Sequence, residues 1–428
     1  MSRVSRTEDC GRSASCGDMT SNDKRVIDWV RVAVVGAGPA GLAISNRLAR
    51  AGLHHVVLER GHIGWSWRTQ RWDSFRLNTP RWANLVPGQY VDASAGTFAT
   101  ATSLVTDLER FAENLPVQER VEVFRAERMG PVWQLDTSRG PLVAGTVVVA
   151  SGFQNLPRKP DYAADLPDEV AQVHVADYRR PEDLDGGVLV VGGGQSGVQI
   201  AEDLLEGGRR VYLSTSRVGR IPRRYRGRDA FEWLAQTGAL HLPRDQAEPA
   251  MIAATPPQVS GAGGGRSVSY QHLAARGATL LGGAVGWDGR RLRLAADLGA
   301  NVRFADEVAA AFRDTWERRA LMIGHDVSDD EHDAADESGE HLYADGGPPS
   351  LDLAAKGISS VVWATGFDAS VGWLPAGALD LTWRPRLPGL HVVGAPWLTH
   401  RASGSLYGMD ADAEAVADVL TQAGAAAA

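Results

Sequence analysis

An α/β fold of two Rossmann-like dinucleotide-binding domains, the second inserted into the first, is what this sequence of 428 residues predicts. Three observations support it. The apolar run Val32–Val35 ends in Gly36-Ala37-Gly38-Pro39-Ala40-Gly41 and then opens a helical pattern. Val188–Val191 ends in the same way in Gly192-Gly193-Gly194-Gln195-Ser196-Gly197. Strand-like runs return late, at Val361–Trp363 and Leu390–Val393, after the second unit has run its course.

Each glycine of the motif has a physical task. The first permits a tight turn, the second lets backbone approach a pyrophosphate, and the third allows close helix–strand packing. The unpaired N–H groups of the helix start then face the phosphates. A lone GxGxxG is a weak signal; the strand–turn–helix setting, found twice, gives it weight. Two dinucleotide sites in one chain imply electrons passing between two cofactors.

The acceptors at the strand ends differ. Val56–Leu58 closes in Glu59, about twenty residues beyond Gly38, where a carboxylate accepts hydrogen bonds from a ribose; Arg60 follows it. After the second motif the strand Arg209–Leu213 ends in Ser214-Thr215-Ser216-Arg217, with no carboxylate. Hydroxyls and an arginine suit a ribose bearing a 2′-phosphate, so NADPH is expected there. Arg223, with Arg224, Arg226 and Arg228 behind it, is a further candidate for phosphate contact.

A net charge of −8 argues against nucleic-acid binding as the main task. No run approaches the roughly 18–20 apolar residues of a membrane span, and the polar N-terminal stretch has no signal-peptide core; cytoplasm is the expected compartment. Cys10 and Cys16 are the two cysteines, both in that stretch, which excludes a disulfide framework or cysteine–zinc site. His325–Asp345 is acidic and poor in apolar residues, as a solvated excursion would be. It lacks EF-hand spacing, and no metal site is proposed.

Along the chain, 1–25 reads as a disordered tail, with Met19 a second candidate start. Residues 26–158 are expected to form the first part of one dinucleotide-binding domain, 159–350 the inserted second domain, and 351–428 the return segment with its terminal helix. Helices are expected at about Pro39–Ala51, Thr102–Asn114, Ala305–Arg319 and Asp410–Gln422. Gly64–Pro87 interleaves tryptophan and arginine without a clear period and reads as a packed loop. Thr146–Ala150 ends in Ala150-Ser151-Gly152, and Val361–Trp363 in Ala364-Thr365-Gly366-Phe367. Val259–Gly265 reads as a flexible glycine loop.

From about Arg31 to the C-terminus these residues resemble the class B flavoprotein monooxygenases, the group of flavin-containing monooxygenases, N-hydroxylases and Baeyer–Villiger enzymes. The resemblance implies FAD on Gly36, Gly38, Pro39, Ala40 and Gly41 and NADPH on Gly192, Gly194, Gln195, Ser196 and Gly197. Ala364–Phe367 matches the family's Ala-Thr-Gly-Tyr/Phe linker, implicating Thr365 and Gly366. His174 and Tyr178 match the second half of Phe-x-Gly-x-x-x-His-x-x-x-Tyr, whose first half is replaced by Asp168 and Val170. They are expected beside NADPH. Trp67, Arg68 and Gly152 are expected to contact the flavin, and Ser214, Arg217 and Arg223 resemble the arginine-bearing NADPH loop. Ser74–Asn78 resembles the segment that places an asparagine at the reactive face of the flavin, so Asn78 is the candidate catalytic donor.

The implied chemistry is reduction of FAD by NADPH, formation of a C4a-hydroperoxyflavin with O₂, and oxygenation of a small molecule at nitrogen or sulfur. Baeyer–Villiger insertion, and an FAD/NAD(P)H reductase without oxygen insertion, stand as alternatives. The substrate and the oligomeric state are left open by the sequence.

Overall fold

The structure, a computed structural model, describes residues 28–84, 98–325, 333–336 and 346–425. The expected tail, Met19, both cysteines and most of the acidic 325–345 stretch lie outside these residues.

The chain begins β1 (Asp28–Val35), α1 (Pro39–Arg50), β2 (His55–Glu59), α2 (Trp65–Thr69), α3 (Ala101–Ala112) and β3 (Val117–Glu119). A meander of β4 (Val123–Met129), β5 (Val132–Thr137) and β6 (Gly140–Val149) follows. The first sheet runs β3-β2-β1-β6-β5-β4, and β1 pairs in parallel with β2 and β6. β1 and its neighbour β6 are buried at almost every position near their C-terminal ends, as a parallel sheet covered on both faces requires.

After β7 (Leu156–Pro157) the second unit contains β8 (Ala171–His174), β9 (Gly187–Val191), α4 (Gln195–Glu206) and β10 (Arg210–Ser214). A hairpin, β11 (Arg224–Tyr225) and β12 (Arg228–Asp229), precedes α5 (Ala230–Gln236), α6 (Pro249–Ala253), α7 (Tyr270–Ala275) and β13 (Thr279–Leu281). Next come β14 (Ala284–Trp287), β15 (Leu292–Leu294), α8 (Leu298–Met322) and β16 (Ser350–Leu351). The chain closes with β17 (Ile358–Trp363), β18 (Phe367–Asp368), β19 (Leu390–Val392) and α9 (Met409–Ala425). The second sheet is β13-β10-β9-β17-β8, all parallel.

The return to the first sheet occurs after β17, which is the partner of β9 and β8, and is completed where β19 pairs with β6. The segment expected to return at 351 therefore starts inside the second unit. Between the two sheets, β18 pairs with β7, so the outgoing and returning strands of the linker lie side by side.

Helix α1 buries Leu42, Ile44 and Leu48 against Leu104 and Leu108 of α3 and Ala413 and Ala417 of α9. Each such leucine or isoleucine contributes about 1.5–3 kcal/mol. Arg47 pins the last helix through Asp410 at 2.6 Å and Glu414 at 2.9 Å. Helix α8 is longer than its expected Ala305–Arg319. Its buried Trp316 stacks on Trp233 of α5 at 6.4 Å, so tertiary packing extends what periodicity alone marks. Gly64–Pro87 holds the short helix α2 and a 3₁₀ turn at Arg81–Asn84 within its described part.

The two glycine turns are built alike to a few tenths of an ångström. A Cβ on Gly36 (φ +108°) would lie 2.4 Å from the Ala150 carbonyl, and one on Gly192 (φ +115°) 2.4 Å from that of Ala364. A Cβ on Gly41 would meet the Gly36 carbonyl at 1.9 Å, and one on Gly197 the Gly192 carbonyl at 1.8 Å. By contrast, Gly38 (φ −78°) has nothing within 4 Å of such a carbon. Gly41→Ala should therefore destabilise the apoprotein by roughly 1–3 kcal/mol or more. Gly38→Ala should melt like the wild type yet purify with little flavin. Thermal unfolding and the absorbance ratio at 450 and 280 nm check both, and a flavin-replete Gly38→Ala protein would contradict the assignment.

Candidate functional site

Strand order reverses beside β1 and again beside β9, and at such switch points an open α/β sheet binds its ligand. A cavity of about 430 Å³ lies there, bounded by the first glycine turn, α2, the Ser74–Asn78 segment and the Ala150–Asn155 turn. Gln195, Ser196 and Gln199, from the first two turns of α4, also line it. Both motifs thus open on one space.

Of the expected first-site residues, Gly36, Gly38, Pro39, Ala40, Glu59, Arg60, Trp67, Asn78 and Gly152 line the cavity. Glu59 accepts from Ala37 N–H at 2.8 Å with one oxygen and from Gly61 N–H at 2.9 Å with the other. Burial pushes its carboxyl above the ordinary range, against the pull of these two donors. Lone pairs remain on both oxygens for a further donor such as a ribose hydroxyl.

The cavity contains features suited to a dinucleotide. Gly38 leaves an open side, where a pyrophosphate can approach the backbone. Arg71 lines the wall with its guanidinium 4.6 Å from the Trp67 ring and 5.4 Å from that of Phe75. It donates to the Gln70 carbonyl at 2.7 Å and has no carboxylate partner among the described residues. Desolvation lowers its pKa to about 10, so it stays cationic at neutral pH. Gln70 also lines the cavity, and its Oε1 is buried without a donor. An occupant that brings negative charge and an N–H or O–H would satisfy both groups.

Several expected residues are placed elsewhere. Arg68 turns away from the cavity to the Ile63 carbonyl at 2.9 Å and to Glu109. Arg71, three residues on, takes the inward position. Ser214 is buried; its hydroxyl donates to the Gly282 carbonyl at 3.0 Å and accepts from Ala284 N–H at 2.8 Å, so it does not face a nucleotide. Arg223 is buried too, bonded to Asp229 at 2.8 Å and to the Asn78 carbonyl at 2.7 Å, with its guanidinium 4.1 Å from the Phe98 ring. That geometry removes it from phosphate contact and makes it a support of Asn78. Arg226 joins Glu317 at 2.7 Å, and Arg228 lies 3.1 Å from His325, so the basic loop folds inward.

Arg217 remains exposed, with its guanidinium 3.8 Å above the Phe304 ring of α8. His174 is buried and accepts from Ala176 N–H through Nδ1 at 3.1 Å, which leaves Nε2–H to donate to the Gly366 carbonyl at 3.0 Å. Burial lowers its pKa, favouring this neutral form. Tyr178 is buried and donates to Asp203 at 2.6 Å. Neither reaches the cavity; one fixes the linker and the other fixes α4. Thr365 and Gly366 (φ +89°) form the linker turn, where the Thr365 carbonyl accepts from Arg158 at 3.1 Å. Gly194 has only the Thr255 methyl within reach of a Cβ, at 4.0 Å, leaving the second turn open as well.

Asn78 sits on the cavity wall with its amide held by Gln199 Nε2 at 2.7 Å. Gln70, Arg71, Gln199 and Asp203 went unmarked in the sequence. The last two had a signal: Gln195, Gln199 and Asp203 recur at i, i+4 and i+8, a polar stripe on a helix otherwise suited to burial.

A family profile described as pyridine nucleotide-disulphide oxidoreductase matches residues 33–226. An uncharacterized CzcO-like oxidoreductase of Geobacillus kaustophilus is 28% identical over 398 residues, covering 90% of this chain and 96% of that one. A probable indole-3-pyruvate monooxygenase, YUCCA3 of Arabidopsis thaliana, is 28% identical over 245 residues, 50% of this chain and 56% of the relative. Among solved structures, a flavin-containing monooxygenase from Stenotrophomonas maltophilia superposes with a TM-score of 0.63 at 18% identity, covering 93% and 99% of the two chains. With both glycine turns, the Ala364–Phe367 linker and the cavity beside them in place, the chain is similar in fold, and over part of its sequence, to flavin-dependent monooxygenases.

Proposed function

We propose that this flavin-dependent monooxygenase binds FAD on the first glycine turn and NADPH on the second, and oxygenates a small molecule at a soft nitrogen or sulfur atom. The observation that supports the reading most is one cavity lined by the first glycine turn and by Gln195, Ser196 and Gln199 at the start of α4, room for two redox cofactors to meet. FAD, when bound, supplies the two-electron exchange with NADPH and the activation of O₂. In the balanced reaction NADPH gives two electrons, one oxygen atom enters the substrate, and the other leaves as water with the required protons.

The chain's own residues orient and exclude water. Glu59 holds the first turn in shape and accepts from a ribose. Trp67, Phe75 and Val175 supply apolar walls to the cavity, in which hydrogen bonds act at low dielectric. Asn78 offers an amide N–H₂ where negative charge develops on oxygen. Arg217, held over Phe304, is the group for the 2′-phosphate. Disulfide reduction has no redox cysteine pair here, since Cys10 and Cys16 are the only two and lie in the polar head of the chain.

Arg217→Ala should raise KM for NADPH about 10-fold or more, equivalent to the roughly 1.5–3 kcal/mol of a hydrogen bond to a charged group. KM for NADH should change little; steady-state kinetics with both nucleotides decide it, and equal wild-type efficiency with the two would refute the NADPH assignment.

The oxygenation itself is tested by NADPH and O₂ consumption against a panel of amines, thioethers, amino acids and ketones, with product masses measured. A gain of one oxygen by an amine or thioether is expected, with hydrogen peroxide below one per NADPH. An ester or lactone from a ketone would move the reading to Baeyer–Villiger insertion. One peroxide per NADPH with every compound would leave a reductase.

A further inference from the structure

Helix α4 begins at the second glycine turn, yet its second and third turns grip the segment that carries Asn78. Gln199 Nε2 donates to Asn78 Oδ1 at 2.7 Å and to the Val259 carbonyl at 2.7 Å. One turn on, Asp203 accepts from Ser74 Oγ at 2.6 Å and from the Tyr178 phenol at 2.6 Å. Ser74 and Asn78 are themselves four residues apart, so two side chains on one helix face hold both ends of the segment. From the other side Arg223 donates to the Asn78 carbonyl at 2.7 Å. Gly261 lies so close beneath that a Cβ there would sit 2.0 Å from the Leu77 carbonyl.

The direction of these bonds can be assigned without seeing hydrogens. A backbone carbonyl can only accept, so the Gln199 atom facing Val259 must be its NH₂. The same nitrogen faces Asn78, which must therefore present its oxygen. The Asn78 NH₂ is left at the other end of the amide, with no partner among the described residues and the cavity beside it. Gln199 is buried, 8% exposed, so water competes little for these bonds.

We propose that Gln199 is a positioning residue for oxygen transfer: anchored on the Val259 carbonyl, it fixes Asn78 as a hydrogen-bond donor into the cavity. The proposal rests on the monooxygenase reading for its consequence, and on the bond geometry for its structure. Asp203 and Tyr178 hold the far end of the same segment, which accounts for a tyrosine that does not reach the cavity.

Two measurements on the FAD-loaded full chain test it. Gln199→Met keeps the volume and removes the donor; Gln199→Glu replaces the donor with an acceptor and should turn the Asn78 amide around. The first measurement is hydrogen peroxide released per NADPH oxidised, a per-turnover ratio that general loss of stability does not move. Gln199→Met should raise it to within about 2-fold of the Asn78→Ala value, and Gln199→Glu should match Asn78→Asp. Gln199→Met added to Asn78→Ala should change the ratio no further. Wild-type coupling in Gln199→Met, or additive uncoupling in the double variant, overturns the proposal.

The second measurement is thermal unfolding of the same four-member cycle, which needs no oxygenation. The double variant should lose less than the sum of the two single losses, because both single changes remove the same Gln199–Asn78 bond. Melting losses that sum would overturn the geometry. If the wild type itself releases one peroxide per NADPH with every substrate, the monooxygenase reading fails, and this cycle still decides whether Gln199 holds Asn78.

Discussion

Everything in the molecule is arranged around one close approach made twice: a turn glycine against the last carbonyl of the neighbouring parallel strand. Gly36 meets Ala150 at the end of β6, and Gly192 meets Ala364 just past β17. Only a residue without Cβ fits there, so the turn swings beneath the strand end and the helix starts with its N–H groups facing open space. In both units the strand that supplies the carbonyl continues through one residue to a glycine of positive φ, Gly152 or Gly366. Ala150-Ser151-Gly152 and Ala364-Thr365-Gly366 are thus the same device. The Ala364–Phe367 linker is, in physical terms, the packing partner of the second glycine turn.

The fold was legible because this device leaves a strong trace: a β-branched run, spaced glycines and a helical pattern. Glu59 was legible because its place at a strand end is fixed by the same geometry. The sheet to which Val361–Trp363 belongs was not, since a short apolar run carries no record of its partners. Within the site the failures share a cause. Arg68 and Arg71 are indistinguishable as letters; the end of α2 at Thr69 separates them, so that Arg71 reaches the Trp67 ring and Arg68 reaches Glu109. Ser214 and Arg223 are of the right chemical type, but both are buried and satisfied by backbone or Asp229. Residue type predicts capacity to bind, and burial decides what is bound.

Buried arginines do structural work in this chain on a scale that its overall acidity hides. Arg223 and Arg220 each meet carboxylates at 2.6–2.9 Å in the second unit. Such pairs add little net stability over apolar packing, yet breaking one leaves a buried charge at a cost of about 3–5 kcal/mol. Their effect is to make a single arrangement much better than its neighbours. In Arg223 that arrangement includes the Asn78 carbonyl, so an ion pair between the residue before β11 and the end of β12 helps fix a cavity wall.

The orientation of one amide follows from the same reasoning about magnitudes. Reversing Asn78 would set its NH₂ against the NH₂ of Gln199, which Val259 prevents from turning. The loss is a hydrogen bond worth about 1 kcal/mol, together with about 1–3 kcal/mol for a buried donor left without an acceptor. At 1.4 kcal/mol per tenfold, a total of about 2–4 kcal/mol holds the reversed state to roughly 0.1–4% of molecules. A donor held this firmly before any charge appears needs no reorganisation when it does, and that is where a fixed dipole contributes most. The backbone carbonyl of a glycine-rich loop, remote in sequence from both nucleotide motifs, thereby determines which end of the Asn78 amide faces the cavity.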